Sequence, residues 1–143
     1  MKMGNIYALQ GKGNTGKTAT IKLVYENLKT KSPSAQIQNM FPLRRGKEIT
    51  IILTGINGET IGIESSGDYE EIVEKSLIIF EKAGCTIIFC ACRTKGGTVD
   101  CIKRHTRYTP HFIRQETDPR YNKSQQDQNN DLMAKILIKT AGL

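Results

Sequence analysis

The chain has 143 residues, 38% of them hydrophobic and none of them Trp, and its 21 Lys and Arg outnumber its 14 Asp and Glu for a formal net charge of +7. That length suits one domain, residues 1–143, with an aliphatic core and no room for a second. No stretch approaches the roughly 20 apolar residues of a membrane span, and the start shows no secretory pattern. A cytoplasmic protein with no membrane partner is therefore expected.

Charge is unevenly spread. Residues 1–48 and 84–123 are basic and residues 49–83 acidic. That balance favours polyanionic ligands, nucleotide phosphates first and nucleic acid second, against the plain alternative of a solvated basic face. The four cysteines, Cys85, Cys90, Cys92 and Cys101, lack the C-x-x-C spacing of a zinc knuckle. Cys90 and Cys92 lie two apart and face the same way on a strand, which reads as buried thiols rather than metal ligands.

"NIYALQ" (Asn5–Gln10) reads as a buried strand that ends at glycine, and "KTATIKLVYENLKTK" from Lys17 places Ile21, Val24, Tyr25 and Leu28 at helical spacing. Residues Thr30 to Lys47, with two prolines and the pair Arg44-Arg45, show no sustained period and read as a long functional loop. "EITIILTG" and "ETIGIES" flank Asn57-Gly58, a hairpin signal that predicts an antiparallel pair. "SSGDYEEIVEKSLIIFEKAG" predicts a helix opened by a capping box of Asp68 with Glu71 and closed at Gly84. "TIIFCAC" is a further buried strand. "TKGGTVDCIKRH" turns into a short helix, and His111–Gln115 reads as a last strand. Glu116 to Asn130 reads as a polar, disorder-tolerant stretch before the closing helix "DLMAKILIKTAG". Strands alternating with helices imply a layered α/β sandwich whose sheet is mostly parallel, with the hairpin adding one antiparallel strand at its edge.

Between the first strand and helix, Gly11 to Thr18 reads G-K-G-N-T-G-K-T, which fits G-x-x-x-x-G-K-[ST] at every fixed position. A backbone that wraps a phosphate brings several N–H groups inward at close range, and glycines leave that approach open. The residues assigned to the ligand are Gly11, Lys12, Gly13, Asn14, Thr15, Gly16, Lys17, Thr18 and the adjoining Ala19. Lys17 supplies charge for the β- and γ-phosphates and Thr18 a hydroxyl for Mg²⁺, at a helix N-terminus that itself favours an anion.

The segment is identified as a Walker A motif, and the chain resembles the P-loop nucleoside triphosphatases. The resemblance implies a three-layer P-loop fold with the nucleotide at the carboxyl ends of the strands and Mg²⁺ as companion. From Lys12 the loop is also similar to the K-G-G-x-G-K-[ST] of partition-type ATPases. There the first lysine reaches a nucleotide across a dimer; a solvated loop lysine is the plain alternative for Lys12. The order of strand, loop, helix, long loop and hairpin resembles small Ras-like GTPases. Glu64-Ser65-Ser66-Gly67 stands where that family has D-x-x-G. Gln115-Glu116-Thr117-Asp118 keeps only the last residue of its guanine-reading N-K-x-D. ATP is therefore expected ahead of GTP.

A hydrolytic site of this kind needs a carboxylate near the metal. Glu64, ending a buried strand, is the candidate for the metal shell together with Thr18; the alternative is a surface acid on an edge strand. Asp68 is the second candidate catalytic acid beside Lys17 and Glu64, or simply a helix N-cap. Arg93 and Thr94 follow a strand at its carboxyl end and either bind a phosphate or form the next turn. Arg104, Arg107, Arg114 and Arg120, interspersed with Tyr108 and Tyr121, suit a lid over a transferring phosphoryl group or single-stranded nucleic acid. The expected function is an ATP-binding, Mg²⁺-dependent slow NTPase that works as a switch, with a protein partner or a second copy. The alternatives are a small kinase and an NTP-regulated nucleic-acid-binding module.

Overall fold

The structure is a computed structural model that describes residues 1–13, 15–40, 46–115 and 117–143, with the backbone alone at positions 39 and 40. Asn14, the Arg44-Arg45 pair and Glu116 therefore lie outside the described residues. Among the described residues ten elements follow in chain order: β1 (Gly4–Gln10), α1 (Lys17–Lys31), β2 (Gln36–Met40), β3 (Thr50–Ile56), β4 (Glu59–Glu64), α2 (Glu70–Lys82), β5 (Ile87–Cys92), α3 (Gly97–Arg104), β6 (Tyr108–Arg114) and α4 (Lys123–Thr140).

The strands form one six-stranded mixed sheet in the order β2-β3-β4-β5-β1-β6. Strands β4, β5, β1 and β6 run parallel, and β3 is antiparallel to both of its neighbours. The antiparallel strand thus lies inside the sheet rather than at its edge. The edge is β2, which falls within the stretch expected to be loop. Its sequence, Gln36-Ile37-Gln38, has no apolar face to signal a strand, and Ile37 is exposed. Pairing with the β3 backbone, not burial, makes it extended.

Two apolar clusters cover the two faces of the sheet. Tyr7 and Leu9 of β1 with Phe89 of β5 pack against Ile21, Val24 and Leu28 of α1 and Ala134 and Leu137 of α4. Ile6 and Ala8 with Ile88, Cys90 and Cys92 pack against Val73, Leu77 and Phe80 of α2 and Val99 and Ile102 of α3. The central strands are therefore apolar on both sides, which is why they read as continuous hydrophobic runs. The result is a three-layer α/β arrangement. All four cysteines are buried free thiols. Loss of water pushes Cys85 and Cys92 up to about 12 and Cys101 to about 11, so they behave as small uncharged core side chains.

The hairpin forms as its sequence predicts. Asn57 and Gly58 both adopt positive φ (52° and 75°), the geometry of a type I′ turn. Two other local expectations change. Strand β6 begins at Tyr108 and takes Pro110 in register with Ile6, a residue tolerated there because β6 is an edge strand. Helix α4 begins at Lys123 rather than near Asp131, so residues 123–130 are helical and not loop. Asn122 accepts from the Gln125 amide at 2.8 Å while the Gln125 side chain accepts from the Asn122 amide at 2.9 Å, a reciprocal cap that starts the helix within a polar sequence.

Helix α1 leaves the carboxyl end of β1 toward one face of the sheet, and α3 leaves the neighbouring β5 toward the other. Between those strand ends a crevice opens, the place where open α/β sheets bind ligands. No helix among the described residues is long and apolar enough to cross a membrane.

Candidate functional site

The loop between β1 and α1 sits at the mouth of that crevice. Gly11 is held to β5 by its N–H on the Cys92 carbonyl at 3.1 Å. The Thr15 hydroxyl donates to the Lys12 carbonyl at 2.8 Å, closing the turn. Gly16 caps α1 with φ 91°, a conformation that other residues resist. A Cβ there would also lie 2.6 Å from Asn130 Oδ1 and 2.8 Å from Gln115 Nε2, so α4 and the end of β6 press directly on the loop.

Lys17 is 6% exposed. Its ammonium donates to the Gly11 carbonyl at 2.7 Å and the Cys92 carbonyl at 3.2 Å, and meets Asp68 Oδ1 at 3.3 Å. Burial pulls Lys17 below the usual lysine range, and the Asp68 carboxylate opposes that shift. Asp68 also receives Arg93 Nε at 3.0 Å. The expected capping role of Asp68 is not found: α2 is capped at Tyr69 with no side-chain cap bond.

Beside Lys17 lies a cleft of about 480 Å³ lined by Gly16, Thr18, Ala19, Lys22, Lys47, Glu48, Ser65 and Asp68 among others. The Thr18 hydroxyl donates to Glu48 Oε1 at 2.9 Å, and Ser65 Oγ donates to Glu48 Oε2 at 2.8 Å while accepting from Ile49 N. Glu48, which no sequence motif marks, is thus the acid next to Thr18. It sits just ahead of β3, and the β3–β4 pairing carries it to the loop.

Glu64 does not line this cleft. It is 0% exposed at the end of β4, where it accepts from Thr50 Oγ1 and Ser76 Oγ at 2.6 Å each and from Ser66 N at 2.9 Å. The structure therefore brings Lys17, Thr18 and Asp68 together with Glu48, and leaves Glu64 behind a wall of hydroxyls. Burial raises the Glu64 carboxyl above its ordinary value, and its three donors offset only part of that. The contribution of such a group is fully present below the unfolded pKa and is lost as pH rises through the raised folded one. Glu64→Gln should accordingly gain stability relative to the wild-type chain between about pH 4 and about pH 7. Denaturant unfolding at both pH values checks it; an equal difference at the two would mean that Glu64 titrates alike folded and unfolded.

On the other side of the loop a shallower depression of about 320 Å³ is lined by Gly11, Lys12, Thr15, Thr94, Arg114 and Gln115 among others. Lys12 is exposed. Gln115 is buried and joins four segments: it accepts from Thr20 Oγ1 at 2.7 Å and donates to the Thr15 carbonyl at 2.7 Å and Asn130 Oδ1 at 2.8 Å, while its N–H bonds the Gln10 carbonyl. Asp118 is paired with Arg120 through its guanidinium and backbone N–H, which holds its carboxyl below the usual range.

The arginines considered as a lid are dispersed. Arg104 pairs with Glu70 and Glu74 on the α2–α3 surface. Arg107 precedes β6, at the end of the sheet away from the cleft, and only Arg114 lines the loop depression. Tyr108 is buried with its hydroxyl on the Cys85 carbonyl at 2.6 Å, so it offers no face for a base to stack on. Among the described residues no group of three or more His, Cys, Asp or Glu is placed to hold a metal by itself. Searches against family models, curated proteins and solved structures each returned no match for this chain.

Proposed function

We propose that this protein binds a nucleoside triphosphate with Mg²⁺ in the cleft beside Lys17, within a P-loop NTPase-like fold, and turns it over slowly as a switch. The observation that carries this reading is the buried Lys17 ammonium, held by the Gly11 and Cys92 carbonyls where the glycine-rich loop enters α1. An ammonium taken out of water at a helix N-terminus is costly unless anions share it; Asp68 at 3.3 Å is one, and a phosphate is the ligand chemistry that suits the open cleft beside it.

The donor set beside it suits a hard cation. Thr18, Glu48, Ser65 and Asp68 offer oxygen only, and Mg²⁺ is commonly held by one or two protein oxygens with phosphates and waters completing its shell. Thr18 and Glu48 are the residues that would hold it. The ion would supply charge neutralisation to the phosphate oxygens. Lys17 and the N–H groups of the loop bind and orient the phosphates, and Gln115 fixes the loop from behind.

Slow turnover is supported by how the nearby carboxylates are engaged. Asp68 is shared by Lys17 and Arg93, Glu48 by Thr18 and Ser65, and Glu64 by Thr50, Ser66 and Ser76. Glu48 and Glu64 have both oxygens engaged, and one Asp68 oxygen is shared by two cations. A preference for ATP is supported by Asp118, whose carboxylate is committed to Arg120 rather than open to a guanine edge.

Calorimetric titration with ATP and with GTP, each with and without Mg²⁺, tests the reading. Binding of ATP ahead of GTP is expected, and binding of neither would overturn it. Glu48→Gln should remove most of the strengthening that Mg²⁺ gives, about tenfold, while binding without the metal is preserved. If Glu48→Gln leaves the Mg²⁺ effect whole, the metal is held elsewhere.

A further inference from the structure

Asp68, Lys17 and Arg93 make an arrangement that phosphate binding alone does not require. One oxygen, Asp68 Oδ1, lies 3.3 Å from Lys17 Nζ and 3.0 Å from Arg93 Nε. A single anionic oxygen bridging an ammonium and a guanidinium is the contact that a terminal phosphate oxygen makes with two cations. The guanidinium lies against the loop itself, its two terminal nitrogens 3.2 and 3.3 Å from the position of a Cβ on Gly13. We propose that Asp68 is an internal stand-in for phosphate, and that an incoming triphosphate displaces it and takes over Arg93 as the second cation for its terminal phosphate. This rests on the nucleotide reading given above.

The backbone around the three residues is fixed, and the side chains that must move are free to do so. A Cβ on Gly67 would lie 2.5 Å from the Ala91 main chain, so the segment carrying Asp68 is pressed onto the end of β5, next to Arg93. The Arg93 N–H is tied to Thr98 Oγ1 at 2.9 Å. Asp68 is 33% exposed and Arg93 45%, whereas Lys17 is 6% exposed. The carboxylate and the guanidinium can therefore swing outward without unpacking the core, while Lys17 stays in place. Asp68 caps no helix, so α2 loses nothing when it moves. Such a site is neutralised while empty and is selective for ligands that carry enough charge to displace the carboxylate, triphosphates ahead of diphosphates.

The test is titration with ATP and with ADP, in chelator without Mg²⁺ and again with Mg²⁺, of the wild-type protein, Asp68→Asn, Arg93→Gln, the double variant and Lys17→Ala. Asp68→Asn is nearly isosteric and removes the competing charge, so it should bind metal-free ATP about tenfold more tightly. Arg93→Gln should narrow the preference for ATP over ADP about tenfold, and the double variant should show less of the Asp68→Asn gain than the single one. Unaltered circular dichroism and melting show that each variant folds. If wild type binds ATP through Lys17 but Asp68→Asn binds it no better, the inference fails and the nucleotide reading stands. A loss in Asp68→Asn confined to Mg²⁺ conditions would make Asp68 a metal ligand and overturn the inference. ATP bound by no variant would overturn both.

Discussion

Lys17→Ala is expected to weaken Mg²⁺–ATP binding about 100-fold while leaving the protein folded, a loss typical of a buried charge-assisted contact to a ligand. The ammonium is already desolvated, so the usual cost of stripping water from a cation is met on folding rather than on binding. It is also already oriented, by the Gly11 and Cys92 carbonyls. Both effects concentrate the interaction with phosphate in one side chain. The variant takes a donor from the Gly11 carbonyl, at about 1 kcal/mol, while the Cys92 carbonyl keeps the Gly11 N–H, and it also relieves the burial of a charge. The two changes oppose each other, and only a small shift in melting is expected. Calorimetric titration of both proteins with ATP and Mg²⁺ decides the matter. Affinity within about threefold of the wild type would remove Lys17 from the ligand and the Walker A reading with it.

Legibility of the fold from sequence followed how local each determinant is. Asn57-Gly58 fixes the hairpin through two residues in succession, and Gly84 (φ 78°) ends α2 where its sequence says it should. Strand β2 leaves no sequence signal because Gln36-Ile37-Gln38 has no buried face, and its partner β3 lies beyond a stretch with no period. The first half of α4 is hard to read as helix because it carries Gln, Asp and Asn with few apolar residues. The pair Asn122 and Gln125, a short-range signal in plain view, starts it all the same.

At the site, the residues contributed by one motif were readable and those contributed by tertiary pairing were not. Gly11 to Thr18 announces itself through spacing. Glu48 carries no motif and reaches Thr18 only because Ser65, at the end of β4, holds both its own neighbour Ile49 and the Glu48 carboxylate. Strand parity explains the placement of Glu64. Ile61 and Ile63 face α1 and α4, so Gly62 and Glu64 face the other way, where Phe80 meets the first and Ser76 the second. An acid at a strand end is a metal ligand only if its face is the ligand's face. That face was open to inspection in the alternation of "ETIGIE", once the covering helices were assigned.

The buried amide of Gln115 carries the second large expected effect. Gln115→Leu keeps the volume but removes an acceptor for Thr20 and a donor for both Thr15 and Asn130. Leaving buried polar groups unpaired costs about 1–3 kcal/mol apiece where water cannot enter. Asn130 Oδ1 keeps the Gln126 amide at 2.8 Å, so the loss falls mainly on Thr20 and the Thr15 carbonyl. A total of about 2–6 kcal/mol is therefore expected in denaturant unfolding. The same contacts join the β1–α1 loop to the middle of α4, so hydrogen exchange should quicken in the loop and around Asn130 together. Asn130→Leu alone tests whether this is one network: the double variant should lose less than the sum of the single losses. Strict additivity would mean that Gln115 supports the loop and α4 as two separate contacts, and that α4 does not hold the loop through it.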